Sequence, residues 1–175
     1  MEERQVRNLV KAWHQRARAE RDLISKFVFL RFCFNAWLAY ESNEDTDREM
    51  IDWLKGRGGG RLPAAIQLRH RRERRNEPVP RLLKTLVGLS PISSTGRRQR
   101  EVRIDSPDDF SGIVEGVYQV RCNLFHGGKQ PSDARDQKLV AVCARILEKW
   151  VGNLVGSWRS ASSGPHRRLE RQTLP

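Results

Sequence analysis

The chain has 175 residues, 38% of them apolar and 31% charged, with a formal net charge of +12 and a pI of about 10.6. This size and composition suit one domain with a modest core and flexible ends. The clustered positive charge predicts a polyanion partner, most commonly nucleic acid. A solvated basic surface that only keeps the protein soluble is the competing interpretation.

The cysteines exclude two classes of small protein. There are three of them: Cys33, Cys122 and Cys143. An odd number without C-x-x-C spacing indicates neither a disulfide framework nor a zinc site, so no metal and no cofactor are expected. Free thiols fit a reducing cytoplasm, and the N-terminal Met-Glu-Glu-Arg lacks the apolar core of a secretory signal. The predicted location is therefore cytoplasmic.

Helical periodicity dominates the first third of the chain. Residues 23–40 are apolar on most sides, which is typical of a helix at the centre of a bundle, and the polar interruptions Arg31 and Asn35 argue against a membrane span. A short helix that carries Met50, Ile51 and Leu54 is expected next, capped by Thr46 or Asp47. At the start of the chain, before these two helices, apolar residues spaced by three and four predict an amphipathic helix. These residues are Val6, Leu9, Val10, Trp13 and Ala17.

The second half continues as helices separated by polar loops. Residues 82–87 carry a short apolar face, and Ser106-Pro107 followed by two acids predicts the start of a helix that runs to about Phe125. Gly127-Gly128 should end that helix, and Asp133 is expected to cap the last one. No β-hairpin is predicted.

The predicted fold class is all-α, a helical bundle in one domain over residues 1–157 with a disordered basic tail over 158–175. Basic loops are expected near residues 56–61, 69–78 and 91–105. Without interleaved aromatic residues they predict charge-driven binding to RNA phosphates, with a solvated loop as the alternative. The candidate RNA-binding cations are Arg69, Arg71, Arg72, Arg74, Arg75, Arg97, Arg98 and Lys129.

Residues 118–129 place an arginine and a histidine where a helix should end: Tyr-Gln-Val-Arg121-Cys-Asn-Leu-Phe-His126-Gly-Gly-Lys. Arginine can hold a phosphate, and histidine moves a proton near neutral pH, as RNA cleavage without a metal requires. On an ideal helix the two would point roughly 140° apart, so they converge only through a distorted last turn or across a dimer axis. A surface arginine and a helix-capping histidine are the structural alternative.

Three further polar residues belong to the same hypothesis. Asn123 shares a helix face with His126 and can orient its imidazole or hold a phosphate oxygen. Arg31 and Asn35 lie one turn apart in the apolar helix, and buried polar groups need partners. Backbone groups or the Arg/His cleft are the expected partners.

The stretch from Arg121 to Lys129 resembles the signature of the HEPN superfamily, whose active members carry an arginine, four to six residues and a histidine. Phe-Cys-Phe-Asn-Ala-Trp-Leu-Ala-Tyr at 32–40 and the Asp-to-Trp segment at 136–150 resemble other helices of that superfamily. The resemblance covers roughly residues 23–55 and 106–155. Its one departure is Cys122, at a position that is usually Asn, Asp or His in active members.

The resemblance implies a dimeric, HEPN-like, metal-independent endoribonuclease of toxin or defence type. It assigns catalysis to Arg121, His126 and Asn123. The residues expected to line the cleft are Asn35, Arg31 and Cys122. The implied partners are RNA, a second copy of the chain, and an antitoxin or regulatory protein, with no membrane. The alternative is a catalytically inactive module of the same fold that binds RNA or protein.

Overall fold

The chain folds as a helical bundle, which confirms the predicted all-α class. The computed structural model describes residues 2–56, 79–89, 91–93, 100–126 and 133–162. Within these ranges there are six helices and one pair of two-residue strands. In chain order they are α1 (Glu3–Ala19), α2 (Leu23–Ser42), α3 (Asp47–Gly56), α4 (Val79–Leu89), β1 (Ile92–Ser93), β2 (Arg100–Glu101), α5 (Phe110–Phe125) and α6 (Ala134–Ser162).

Helix α2 lies at the centre of the bundle and packs against α1, α3 and α6. It begins at Asp22, whose carboxylate accepts the backbone N–H of Ser25 at 2.7 Å, and ends at Asn43 in the left-handed conformation. Because neighbours cover it on several sides, its apolar residues follow no single stripe. The buried ones are Phe27, Leu30, Cys33, Phe34, Trp37 and Leu38.

By length and composition, α2 is also the one helix in the described part of the chain that could cross a membrane. A helix at the core of a bundle meets the same criterion, because both environments select apolar side chains. The buried side chains of α2 pack on other helices of the same chain, as expected for a core helix.

Aromatic side chains join the central helices. The Phe34 ring lies 5.3 Å from that of Trp150 and 5.6 Å from that of Trp37, centroid to centroid. Phe110, the first residue of α5, lies 6.2 Å from Trp150. This cluster fixes the start of α5 against α2 and α6, so it sets the direction in which α5 leads to Arg121.

The last helix is longer than predicted. It continues to Ser162, past the expected boundary at 157, and residues 163–175 of the predicted tail lie outside the described ranges. The cause is Trp158, which packs against the core and carries the Arg7 guanidinium at 5.6 Å from its ring centroid. The first proline after the start of α6, Pro165, comes only later in the sequence.

Two short strands lie in the segment predicted as the basic loop 91–105. Ile92 pairs with Glu101 and Ser93 with Arg100 in antiparallel register, and the Val102 N–H donates to the Pro91 carbonyl at 2.7 Å. The absence of a β-hairpin was therefore a wrong prediction. The missed signal was the alternation of apolar and polar residues from Arg100 to Ile104, which ends in the buried Ile104 side chain.

The caps decide where three helices begin. At α3, Thr46 accepts the Glu49 N–H while the Glu49 carboxylate accepts the Thr46 N–H, a reciprocal capping box. At α6, Asp133 accepts the Asp136 N–H at 2.7 Å, as expected. Helix α5 begins at Asp109, which accepts the Gly112 N–H at 2.9 Å, rather than at the predicted Ser106.

We expect Gly112→Ala to destabilise the protein by about 1–2 kcal/mol, the usual cost of losing an N-cap. A Cβ at residue 112 would lie 2.2 Å from the Asp109 Oδ2 atom and 3.1 Å from the Arg103 carbonyl oxygen, so the capping carboxylate must move. Gly152→Ala is the matched control, because a Cβ there meets nothing within 4 Å. It should stabilise α6 by roughly 0.5–1 kcal/mol. Urea unfolding of both variants measures the difference, and equal changes would contradict the cap.

Candidate functional site

Arg121 lies on α5 one turn before its end, and its side chain is half-buried. Its Nη2 atom is 2.7 Å from the Asp47 Oδ2 atom, an ion pair that does not have hydrogen-bond geometry. The guanidinium also sits 5.0 Å from the ring centroid of Phe125, which is 51% exposed. The arginine is thus held between a carboxylate and an aromatic ring at the edge of the bundle.

Asp47 connects three helices at this point. It is the first residue of α3, and its Oδ1 atom accepts a hydrogen bond from the Asn35 Nδ2 atom at 3.0 Å. Through its two oxygens the carboxylate joins Asn35 on α2 to Arg121 on α5. The predicted cleft residue Asn35 therefore does reach the arginine of the Arg-x4-His pair, with one carboxylate between them.

Arg31 lies one turn before Asn35 on α2 and is 2% exposed. Its Nε, Nη1 and Nη2 atoms have no hydrogen-bond partner among the described residues. Burial lowers the pKa of Arg31 to about 10; the attraction of Asp47 opposes this change, and repulsion by Arg121 adds to it. The side chain remains a cation at neutral pH, partly compensated by the Phe34 ring at 5.7 Å.

Two further residues of α5 lie close to Arg121 in the chain: Tyr118, three positions before it, and Cys122, directly after it. Burial, and then a hydrogen bond with the Cys122 thiol, raises the pKa of Tyr118 to about 12. The Arg48 guanidinium lies 5.5 Å from the tyrosine ring centroid. The thiol is itself buried, so the residue after Arg121 faces the interior and not an open groove.

His126 and Asn123 are placed differently from Arg121. His126 is the exposed C-cap of α5, and its backbone N–H donates to the Cys122 carbonyl at 3.0 Å. Asn123 is fully buried and accepts a hydrogen bond from the Gln119 Nε2 atom at 2.8 Å. In one copy of the chain, Arg121 faces Asp47, Asn123 faces the core and His126 faces solvent. The structure does not bring the three predicted catalytic side chains together within the chain.

Helix α3 is fastened to α5 by ion pairs. Both Arg48 and Lys55 contact the Glu115 carboxylate at 2.7 Å, and both also contact Asp52. Although burial opposes it, the hydrogen bonds from Arg48 and Lys55 lower the pKa of Glu115. A lowered pKa in the folded state means that this stabilisation is present above the ordinary range of glutamate and is lost as the pH falls through the lowered value.

The other predicted site residues cannot be placed in this way. Arg69, Arg71, Arg72, Arg74 and Arg75 lie in residues 57–78, which are outside the described ranges, as are Arg97, Arg98 and Lys129. Among the described residues there is no group of three or more His, Cys, Asp or Glu side chains that could hold a metal ion.

Asp47 is the site residue that the sequence analysis misses, because its position before an apolar-periodic segment predicts only a helix cap. A signal was present, however: Arg31 and Asn35 both interrupt an apolar helix, and a buried cation beside an amide calls for a carboxylate partner. Asp47 is the first residue of the next helix in the chain, which is the nearest element able to supply a carboxylate.

Comparison of the chain with protein-family models, with curated proteins and with solved structures finds no match.

Proposed function

We propose that the protein is a HEPN-like, metal-independent endoribonuclease of toxin or defence type, acting as a dimer. The observation that supports this best is the end of α5, where Arg121 is held in a fixed position and His126 stands exposed five residues later. A positioned cation and an accessible imidazole are the chemical minimum for cleaving RNA without a metal. The net charge of +12 favours an RNA partner.

In the proposed reaction the ribose 2′-oxygen attacks the adjacent phosphorus. A new bond forms between the 2′-oxygen and phosphorus, and the bond from phosphorus to the 5′-oxygen breaks. The His126 imidazole of one copy takes the 2′-OH proton, and the protonated His126 of the other copy supplies a proton to the leaving 5′-oxygen. Arg121 pairs with the phosphate oxygens as their negative charge grows. The products are a 2′,3′-cyclic phosphate and a 5′-OH.

The buried position of Asn123 narrows its proposed role. A side chain without exposed surface cannot touch a phosphate unless the end of α5 rearranges. Its amide instead forms part of a buried pair with Gln119 one turn earlier. Asn123 therefore acts by holding the last turn of α5 in place, which fixes the position of His126.

The proposed activity is tested by incubating the purified protein with mixed RNA in EDTA. We expect cleavage to persist, because neither attack nor departure requires a metal in this mechanism. The new ends should be 2′,3′-cyclic phosphates, and a substrate with a single 2′-deoxy residue at the cut should be inert. Cleavage that EDTA abolishes, or that leaves a 5′-phosphate, would contradict the mechanism.

The dimer is expected because Arg121 and His126 do not converge within one chain. On a regular helix, residues five positions apart point roughly 140° from each other. A two-fold axis beside the end of α5 would bring Arg121 of one copy toward His126 of the other. Light scattering at micromolar concentration should give about twice the chain mass of 20.3 kDa. A monomer that still cleaves RNA would contradict the composite cleft.

A second candidate function is a catalytically inactive module of the same fold that binds RNA or protein. Two observations favour it: the charge of Arg121 is already countered by Asp47, and the buried Cys122 stands at the position usually occupied by a polar residue. A regulatory protein or antitoxin is an additional partner under either function. RNA binding without any cleavage in the EDTA assay would select this module.

A further inference from the structure

The junction of α2, α3 and α5 holds two guanidinium groups, one buried and one half-buried, and one carboxylate. Arg121 contacts Asp47 directly, whereas Arg31 is influenced by the charges of both without a hydrogen bond to either. The cluster of Arg31, Arg121 and Asp47 therefore carries one positive charge more than it balances. A buried cation with unsatisfied donors costs several kcal/mol unless an anion with acceptor oxygens compensates it.

Arg31 supplies the donors that such an anion would need. All three of its guanidinium nitrogens are buried without a hydrogen-bond partner among the described residues, and no other described side chain combines full charge with this degree of burial. The Phe34 ring covers one face of the group but cannot accept its in-plane N–H donors. The free donors lie in the plane, where an oxyanion binds a guanidinium.

We propose that Arg31, Arg121 and Asn35 form a binding site for one phosphate group of the RNA backbone, and that Asp47 occupies it as an internal stand-in in the free protein. The inference rests on the proposed function, which makes RNA the source of the phosphate. Asp47 presents two oxygens to Asn35 and Arg121, as two oxygens of a phosphate would. A phosphodiester has the same charge as the carboxylate and carries its oxygens on a larger, tetrahedral group, and Arg31 lies one turn before Asn35 on α2 with donors left to bind it.

The site is closed in the absence of RNA. Arg31 is 2% exposed, so an anion reaches it only when a neighbouring group moves. Asp47 is the group whose charge the phosphate would replace, and it sits at the first turn of a ten-residue helix. That helix is held to α5 by the pairs of Arg48 and Lys55 with Glu115, which are partly exposed and therefore weakened by salt.

The first test is the response of thermal stability to inorganic phosphate at constant ionic strength. Asp47→Asn removes the competing charge and retains an oxygen to accept from Asn35. Phosphate at about ten times its Kd should raise the Tm of this variant by roughly 3 °C. The wild type should respond much less. Asp52→Asn is the matched control. It also removes a carboxylate from α3, but that carboxylate pairs with Arg48 and Lys55 and not with Arg121.

The second test combines substitutions in an RNA-binding assay with a 2′-O-methyl oligonucleotide, which cannot be cleaved. Asp47→Asn should bind roughly fivefold more tightly, the gain expected when a half-exposed ion pair no longer competes. Arg31→Met should weaken binding at least about tenfold and should abolish the gain from Asp47→Asn. Should Arg31→Met fail to fold, Arg31→Lys provides the comparison, because a point charge cannot reproduce the planar fork.

The outcomes separate this site from the proposed activity. If Arg31→Met and Asp47→Asn change neither the phosphate response nor RNA affinity, Arg31 is a structural cation and the site is overturned, whether or not the protein cleaves RNA. A phosphate response with unchanged RNA affinity would overturn the RNA backbone as ligand and leave a site for the free ion. If the binding changes occur but wild type never cleaves, the site stands and the endoribonuclease proposal falls.

Discussion

Replacing His126 by alanine is expected to lower the rate of RNA cleavage in EDTA by roughly 10²–10⁴-fold, the usual contribution of general acid–base catalysis. The imidazole is at the exposed C-cap of α5, so its removal disturbs no buried contact of the described bundle. The effect should therefore appear in the rate and not in the stability. Single-turnover kinetics with a defined oligonucleotide, together with thermal unfolding of each variant, measure the two separately.

RNA affinity distinguishes the role of His126 from that of Arg121. Loss of one imidazole should leave affinity nearly intact on a surface of this charge, whereas Arg121→Ala should reduce the rate similarly and also weaken binding. His14→Ala, a histidine substitution on α1 far along the chain from α5, is the matched control and should cleave RNA at the wild-type rate. If wild type and His126→Ala cleave equally, the activity lies elsewhere or belongs to a contaminant.

The sequence predicts the helices well because their signals are local. The spacing of apolar residues and the caps at Thr46 and Asp133 act within a few positions, so they can be read without tertiary information. Two differences from the predicted pattern have tertiary causes. Trp158 extends α6 because it finds a packing partner in Arg7 of α1. The strand pair depends on backbone hydrogen bonds between residues 91–93 and 100–102, which are separated in the sequence.

Several candidate site residues are visible in the sequence, but Asp47 and the arrangement of the group are not. The spacing of Arg121 and His126 and the interruption of α2 by Arg31 and Asn35 are visible in the sequence. Asp47 lies between Asn35 and Arg121 because α3 packs against both α2 and α5. These long-range contacts are encoded by no local pattern. The burial of Asn123 likewise depends on the rotation of α5 about its axis, which is set by packing against the core.

Replacing Trp150 by alanine is expected to have the largest effect on stability, a loss of about 3–5 kcal/mol. The side chain is 1% exposed and touches the rings of Phe34 and Phe110, so its removal leaves a cavity where α2, α5 and α6 meet. For a chain of this length such a loss corresponds to a decrease in Tm of about 10 °C.

Trp150→Phe is the matched control for that prediction, and it separates ring packing from hydrogen bonding. The indole Nε1 atom is buried without a hydrogen-bond partner among the described residues, so removing it relieves an unsatisfied donor worth about 1–3 kcal/mol. That relief offsets the smaller volume of phenylalanine, and Trp150→Phe should stay within about 1.5 kcal/mol of wild type. Chemical denaturation of the two variants measures the difference. Equal losses would mean that the indole N–H is hydrogen-bonded and that its partner, rather than the ring contacts with Phe34 and Phe110, holds α5 in place.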